Sequence, residues 1–131
     1  MKAEELIELA QEAMRHAYAP YSGFRVGAAL LCADGSVYQG SNIENAAYSP
    51  TNCAERTAFF QAVYDGHRDF TALAVCGGKN GEITGFCPPC GVCRQVMREF
   101  CREDFVVYIA GPKGQHQKRT LAQLLPDSFV L

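Results

Sequence analysis

Two short segments hold the residue types that could do chemistry. One is Thr51-Asn52-Cys53-Ala54-Glu55-Arg56, and the other is Pro88-Pro89-Cys90-Gly91-Val92-Cys93-Arg94-Gln95. Cys90 and Cys93 are three apart, so in the first turn of a helix their sulfurs leave from one side and can share a metal ion. Cys53 lies 37 residues before Cys90 (90 minus 53), a length over which a β-α crossing can return a second helix N-terminus to the same place. Three thiolates with a fourth position open to water make the catalytic zinc arrangement, whereas four protein ligands close a structural one. Glu55, two residues beyond Cys53, is placed to take a proton from such a water and hand it on. Asn52 and Glu55 also have the spacing of a capping box, in which the glutamate only satisfies a backbone N–H. Beside Cys53 and the Pro-Cys-x-x-Cys segment, the proton-carrying reading is the stronger one.

Other uses of these cysteines stay open. Cys87-Pro-Pro-Cys90 has the form of a redox pair at a helix start, but it leaves Cys53 and Cys93 without a purpose. Cys87, Cys90 and Cys93 also begin an iron–sulfur run, which ends because the next ligand position is Met97. The non-enzymatic alternative is a closed structural zinc site of Cys53, Cys87, Cys90 and Cys93 in a binding module. Cys32, Cys76 and Cys101 fall in apolar patterns and read as small buried hydrophobes. His16, His67 and His116 show no ligand spacing.

Composition narrows the partners. In 131 residues, 12 Lys and Arg stand against 14 Asp and Glu, and the pI is near 5.9. Binding to a nucleic-acid polymer calls for a basic face, so none is expected, and a small, nearly neutral ligand suits this balance better. The run Lys113 to Arg119 reads as a solvated loop. The longest apolar stretch, Val26 to Ala33, has eight residues, far fewer than the roughly 20 a membrane span needs. Glu4 and Glu5 stand where a secretory leader would be apolar, and the seven cysteines are an odd number. A cytoplasmic protein is expected.

The elements that must position this chemistry follow from periodicity. Lys2 to Ala19 places Leu6, Ala10, Ala13, Met14 and Ala17 on one stripe, a helix stopped by Pro20. Val26 to Ala33 is a strand, Asp34-Gly35 a hairpin turn, and Ser36 to Ser41 the return strand. A second helix runs from Asn52 or Cys53 to Gly66, and Thr71 to Val75 is an apolar strand. Gly77-Gly78 and Asn80-Gly81 read as turns. A third helix covers Cys90 to Cys101, Phe105 to Ile109 is a further strand, and Thr120 to Leu125 a short last helix. A hairpin followed by β-α-β units implies a single α/β domain over residues 1–131, three-layer α-β-α around a mixed sheet.

At this point the chain resembles the small zinc-dependent cytidine deaminases of the free-nucleoside type. The likeness runs from about Ala19 to Phe129. It rests on Tyr21-Ser-Gly-Phe-Arg-Val-Gly-Ala-Ala-Leu30, Asn42-Ile-Glu-Asn-Ala-Ala-Tyr48, Cys53-Ala-Glu-Arg56, Pro89-Cys-Gly-Val-Cys-Arg-Gln95 and Leu124-Leu-Pro-Asp-Ser-Phe129. Cys-x-Glu at the first ligand, in place of the His-x-Glu of deaminases acting on polynucleotides, is similar to the free-nucleoside group. The resemblance implies a five-stranded sheet and one Zn²⁺ per subunit on Cys53, Cys90 and Cys93. It implies hydrolytic deamination of cytidine and deoxycytidine to uridine and deoxyuridine in pyrimidine salvage, with Glu55 as proton shuttle. It also implies substrate binding by Phe24, Asn42, Glu44 and Ala54, with Ala46, Tyr48 and Phe129 approaching a neighbour's site in a homotetramer. Without the likeness, Phe24 and Phe129 would fit core aromatics, and Asn42 and Glu44 turn residues. Three thiolates leave a zinc site negative, so Arg56 is expected to donate to cysteine sulfur from behind the ligands. Cys87 has no role in this scheme. Asn42-Ile-Glu-Asn45 argues against a preference for nucleoside-like antibiotics.

Overall fold

The computed structural model describes residues 1–131. Its helices are α1 (Ala3–Met14), α2 (Ala54–Tyr64), α3 (Gly91–Phe100) and α4 (Leu121–Leu124). Its strands are β1 (Phe24–Cys32), β2 (Val37–Ser41), β3 (Phe70–Lys79), β4 (Val106–Ala110) and β5 (His116–Thr120). They form one sheet in the order β2-β1-β3-β4-β5. Only β3 and β4 run parallel, joined by the crossing through α3; the other neighbours are antiparallel. The architecture is three-layer α-β-α with a mixed five-stranded sheet, as expected.

Strand alternation sorts the core into two faces. Ala29, Ala72, Ala74 and Cys76 turn to α1, where Leu6, Ala10 and Met14 cover them. Ala28, Leu30, Leu73, Val75 and Val107 turn the other way, onto Ala58, Phe59, Met97 and Leu121 of α2, α3 and α4. Phe59 anchors this second face, edge-on to Phe70 with centroids 5.2 Å apart and in contact with Phe100 and Phe105. No helix is long and apolar enough to cross a membrane.

Three expectations need correction. The segment Lys113 to Arg119 is not all solvated loop, because His116–Thr120 is strand β5, paired with β4 from Ala110↔His116 to Val106↔Thr120. Its polar side chains suit an edge strand, where charge discourages pairing with another chain. Gly77-Gly78 is not a turn either; both residues stay in β3, opposite Val26 and Arg25, and the chain reverses at Asn80-Gly81, both at positive φ. The first helix ends at Met14, not Ala19, because the following segment leaves to pair with the chain just beyond β2, in a bridge between Tyr18 and Ile43. There Tyr18 N–H donates to Asn42 O at 2.9 Å and Glu44 N–H to Tyr18 O at 2.8 Å.

One close approach sets the seat of α2. A Cβ on Gly40 would collide with Ala54 O and lie 2.6 Å from Ala58 N, both backbone atoms of the first turn of α2. The missing side chain lets that helix start lie directly on β2. Gly40→Ala is therefore expected to destabilise the fold by about 1–3 kcal/mol, as overpacking does, read as a lower denaturant midpoint.

Candidate active site

Cys53 and Cys90 are the N-cap residues of α2 and α3, both extended in backbone, with ψ of 156° and 168°. Each sulfur thus sits at the positive end of a helix dipole. Cys93, one turn into α3, is 1% exposed. Cys53 Sγ lies 3.8 Å from Cys90 Sγ, which lies 3.5 Å from Cys93 Sγ, and all three sulfurs fall within 4.8 Å of one another. Cys87 is outside this group. It packs instead on β3, where a Cβ on Gly77 would come within 3.1 Å of its sulfur and 2.8 Å of the Phe24 ring. Burial pushes its thiol up to about 11. All seven cysteines are free.

Cys53 is poised to hold charge. A hydrogen bond from Cys93 and the contact with Arg56 outweigh burial and bring its thiol down to about 5. Arg56 Nη2 donates to Cys53 Sγ at 3.1 Å, while Arg56 Nε is buried without a partner. Glu55 follows in the first turn of α2 and is 4% exposed. Its capping-box role is absent: Cys53 is the N-cap, and Asn52 Nδ2 donates to Thr57 Oγ1 at 3.2 Å. No other residue donates to the Glu55 carboxylate. Desolvation, with the Cys53 charge adding to it, raises its pKa to about 7.

Of the remaining expected residues, Phe24, Asn42, Glu44, Ala46 and Tyr48 lie on the β1 entrance and the segment after β2, Ala54 on α2 and Phe129 on the tail after α4. Asn42 is bonded on both sides of its amide: Oδ1 accepts from Val26 N–H at 2.8 Å, and Nδ2 donates to Phe24 O at 2.9 Å. It thereby fixes the backbone at the start of β1, at Phe24 and Val26. Glu44 accepts from Tyr21 N–H at 2.9 Å, from Ser22 N–H at 3.1 Å and from the Ser22 hydroxyl. The Ser22 bonds hold its carboxyl below the ordinary value. Ala54 is fully buried at the head of α2. Ala46 is exposed, and Tyr48, at φ 63°, is 81% exposed. Phe129 is 67% exposed, on a tail fastened to α3. There Arg94 Nη1 donates to Leu124 O at 2.5 Å, Gln95 Nε2 to Phe129 O at 3.2 Å and Arg98 Nε to Ser128 Oγ at 2.9 Å.

Known proteins share this arrangement. The family model described as "Cytidine and deoxycytidylate deaminase zinc-binding region" matches residues 1–109. A cytidine deaminase of Sporosarcina psychrophila is 54% identical over 129 residues, covering 98% of this chain and 92% of that protein. The chain belongs to the zinc-binding cytidine deaminase family. Among solved structures, the cytidine deaminase of Burkholderia pseudomallei matches with a TM-score of 0.91 at 46% identity, over 98% of this chain and all of that one. That of Mycobacterium tuberculosis matches with a TM-score of 0.84 at 37% identity, over 100% and 99% of the two chains.

The chain is thus a zinc-dependent hydrolytic enzyme with cytidine-deaminase-like activity, and its donor set fits the metal. Zn–S bonds of about 2.3 Å around a tetrahedron put neighbouring sulfurs about 3.8 Å apart, close to the separations here. Three soft thiolates suit zinc and leave one position open.

Several residues that build this deaminase site carry no assigned role in the sequence reading. Tyr21 and Ser22 hold Glu44, and Gly77 makes room for Phe24 and Cys87. Thr51 and Asn45 shape the loop before α2, through Asn45 N–H to Thr51 Oγ1 at 3.0 Å and Ala47 N–H to Asn45 Oδ1 at 2.9 Å. A polar residue two positions from a turn was the available signal, and it is common to most loops.

Proposed function

We propose that residues 1–131 act as one domain that hydrolyses cytidine and deoxycytidine to uridine and deoxyuridine with release of ammonia, in pyrimidine salvage in the cytoplasm. The observation that carries this reading is a buried Glu55, bonded by no other residue, two residues from one of three clustered sulfurs. Zinc, when held by Cys53, Cys90 and Cys93, supplies Lewis acidity and lowers the pKa of a water at its open position. Glu55 takes a proton from the attacking water and delivers it to ring N3. Glu55 then moves the remaining proton of that oxygen, now bonded to C4, to the 4-amino group, and the C4–N bond breaks to release ammonia as the C4=O of the product forms. Its desolvated setting suits both roles, because a group with a pKa near neutrality both accepts and donates. Arg56 offsets the charge of the sulfurs by donating to Cys53, and the two helix N-termini add to it.

Phe24 packs against the pyrimidine, Ala54 lies at the base, and Asn42 with Glu44 bonds the ribose hydroxyls. The last two are already held by backbone and Ser22 contacts, so little is lost in ordering them when substrate arrives. The test is absorbance-monitored turnover of cytidine, deoxycytidine, cytosine and adenosine, with and without a chelator. Turnover of the two cytosine nucleosides, abolished by chelation and restored by zinc, is expected. Zinc-loaded protein that turns over neither nucleoside overturns the reading.

The active unit is further proposed to be a homotetramer with shared sites, in which Ala46, Tyr48 and Phe129 reach a neighbour. Supporting this, Tyr48 and Phe129 present large apolar surfaces to solvent in the single chain. Loss of an aromatic stacking contact costs about 1–3 kcal/mol. Phe129→Ala is therefore expected to lower kcat/KM roughly ten- to a hundredfold, with zinc content unchanged. Mixing Glu55→Gln chains with Phe129→Ala chains should restore activity in tetramers that pair an intact Glu55 with a donated Phe129. No recovery despite confirmed exchange, or a fully active monomer, defeats the shared site.

A further inference from the structure

The β1–β2 hairpin meets the turn after α2 at the end of that helix remote from Cys53. Cys32 closes β1, Asp34 stands in the hairpin turn, and His67 follows α2. The 11 residues of α2 between Cys53 and this turn span about 16 Å of helix axis, so the two places are separate. Here Cys32 Sγ, a carboxylate oxygen of Asp34 and an imidazole nitrogen of His67 all lie within 4.8 Å of one another. His67 Nδ1 is 3.8 Å from Asp34 Oδ2, too far for a direct hydrogen bond. Bonds of about 2.0–2.3 Å to a shared ion place ligand atoms about 3.3–3.8 Å apart. Side-chain adjustments of about an ångström therefore bring all three onto one centre.

The surroundings orient each group. Asp34 Oδ1 accepts from Ser36 N–H at 3.0 Å and from Ser36 Oγ at 2.6 Å, which turns Oδ2 toward His67. The Tyr38 ring meets the imidazole edge-on at 5.2 Å, and Tyr38 is itself held by its hydroxyl, which donates to Asp65 Oδ2 at 2.7 Å. Cys32 is 2% exposed and forms the floor, while the side chains of His67 and Asp34 are 24% and 61% exposed. A cation can enter from the solvent side, and water can complete its coordination.

We propose that Cys32, Asp34 and His67 form a second site, additional to the three-cysteine one, for a divalent transition-metal ion of the zinc type. Bound there, the ion ties the hairpin to the turn between α2 and β3. One sulfur, one nitrogen and one oxygen make a donor set of intermediate softness. That suits Zn²⁺ and disfavours Ca²⁺ and Mg²⁺, which need mostly oxygen ligands. Binding releases the Cys32 thiol proton to solvent, and no electron is transferred.

The test starts from full-length protein holding one zinc per chain. It is dialysed against micromolar free Zn²⁺, its metal is counted by atomic emission, and its thermal midpoint is measured. A second equivalent and a raised midpoint are expected, both lost in His67→Ala and in Asp34→Asn, with the first equivalent and hydrolytic turnover kept. The same dialysis against Ca²⁺ or Mg²⁺ should add nothing. A wild-type protein that takes up no second zinc overturns the site. So does a second equivalent that persists in both variants. His67 is partly and Asp34 largely exposed, so these two substitutions disturb the core less than Cys32→Ser would.

Discussion

Glu55→Gln is expected to keep its zinc and lose turnover by ~10²–10⁴-fold, or more because one group serves several proton transfers. Gln preserves the volume of the side chain but cannot accept a proton from water, so nucleoside affinity should change little while kcat falls. Substantial residual deamination would return Glu55 to a structural role. A second consequence is opposite in sign. In the metal-free protein the Glu55 carboxyl sits at about 7 against an ordinary 4.5. A carboxyl raised on folding destabilises the native state once pH exceeds its unfolded value, and the cost grows until the folded value is passed. That difference is worth about 3 kcal/mol when fully expressed. Metal-free Glu55→Gln should therefore gain stability relative to metal-free wild type at pH 8, by up to about 3 kcal/mol, and little of that at pH 5. The amide's own burial cost is the same at both pH values, so the difference between them isolates the charge. Denaturant unfolding in chelator at the two pH values checks it. An advantage that does not shrink in acid would show that the carboxylate is not desolvated.

The parts of this molecule legible in its sequence are those whose signal is local. Cys53, Cys90 and Cys93 fall at helix starts, and a three-residue spacing within one turn already places two sulfurs together. Helix α1 announces itself by its apolar stripe, and α2 and α3 by the residues at their ends, Cys53 and Gly66 for the one and Cys90 and Cys101 for the other. What was illegible depends on contacts between distant residues. β5 lacks alternating apolar residues because as an edge strand it is held by β4 backbone bonds and keeps polar side chains outside. Gly77-Gly78 carries the signature of a turn, yet the glycines are there because Phe24, Cys87 and the backbone of Glu82 leave no room for a Cβ. The end of α1 is set by Tyr18 bonding to Asn42, far along the chain. The same holds for His67: no spacing within its own segment points to a ligand, and its partners come from the hairpin between β1 and β2.

Cys90→Ser is expected to empty the three-cysteine site and abolish turnover, whereas Cys87→Ser keeps zinc and most activity. The Cys90 sulfur is one corner of the triangle, 3.8 Å from Cys53 Sγ and 3.5 Å from Cys93 Sγ, so removing it leaves only two of the three sulfur ligands. A serine hydroxyl stays protonated where a thiol ionises, and it offers zinc a far poorer ligand. The two remaining sulfurs then lie close together without a cation, their charge offset by Arg56 and the helix N-termini. Cys87 differs from Cys90 in every one of these respects. Its sulfur is outside the cluster, it packs on Gly77 and beside Phe24, and burial keeps its thiol neutral. Zinc should be counted in a His67→Ala background, so that only the three-cysteine site is read. If Cys87→Ser loses metal as completely as Cys90→Ser, the site is a closed four-cysteine one. No position would then remain for water, and the hydrolytic reading would fail with it.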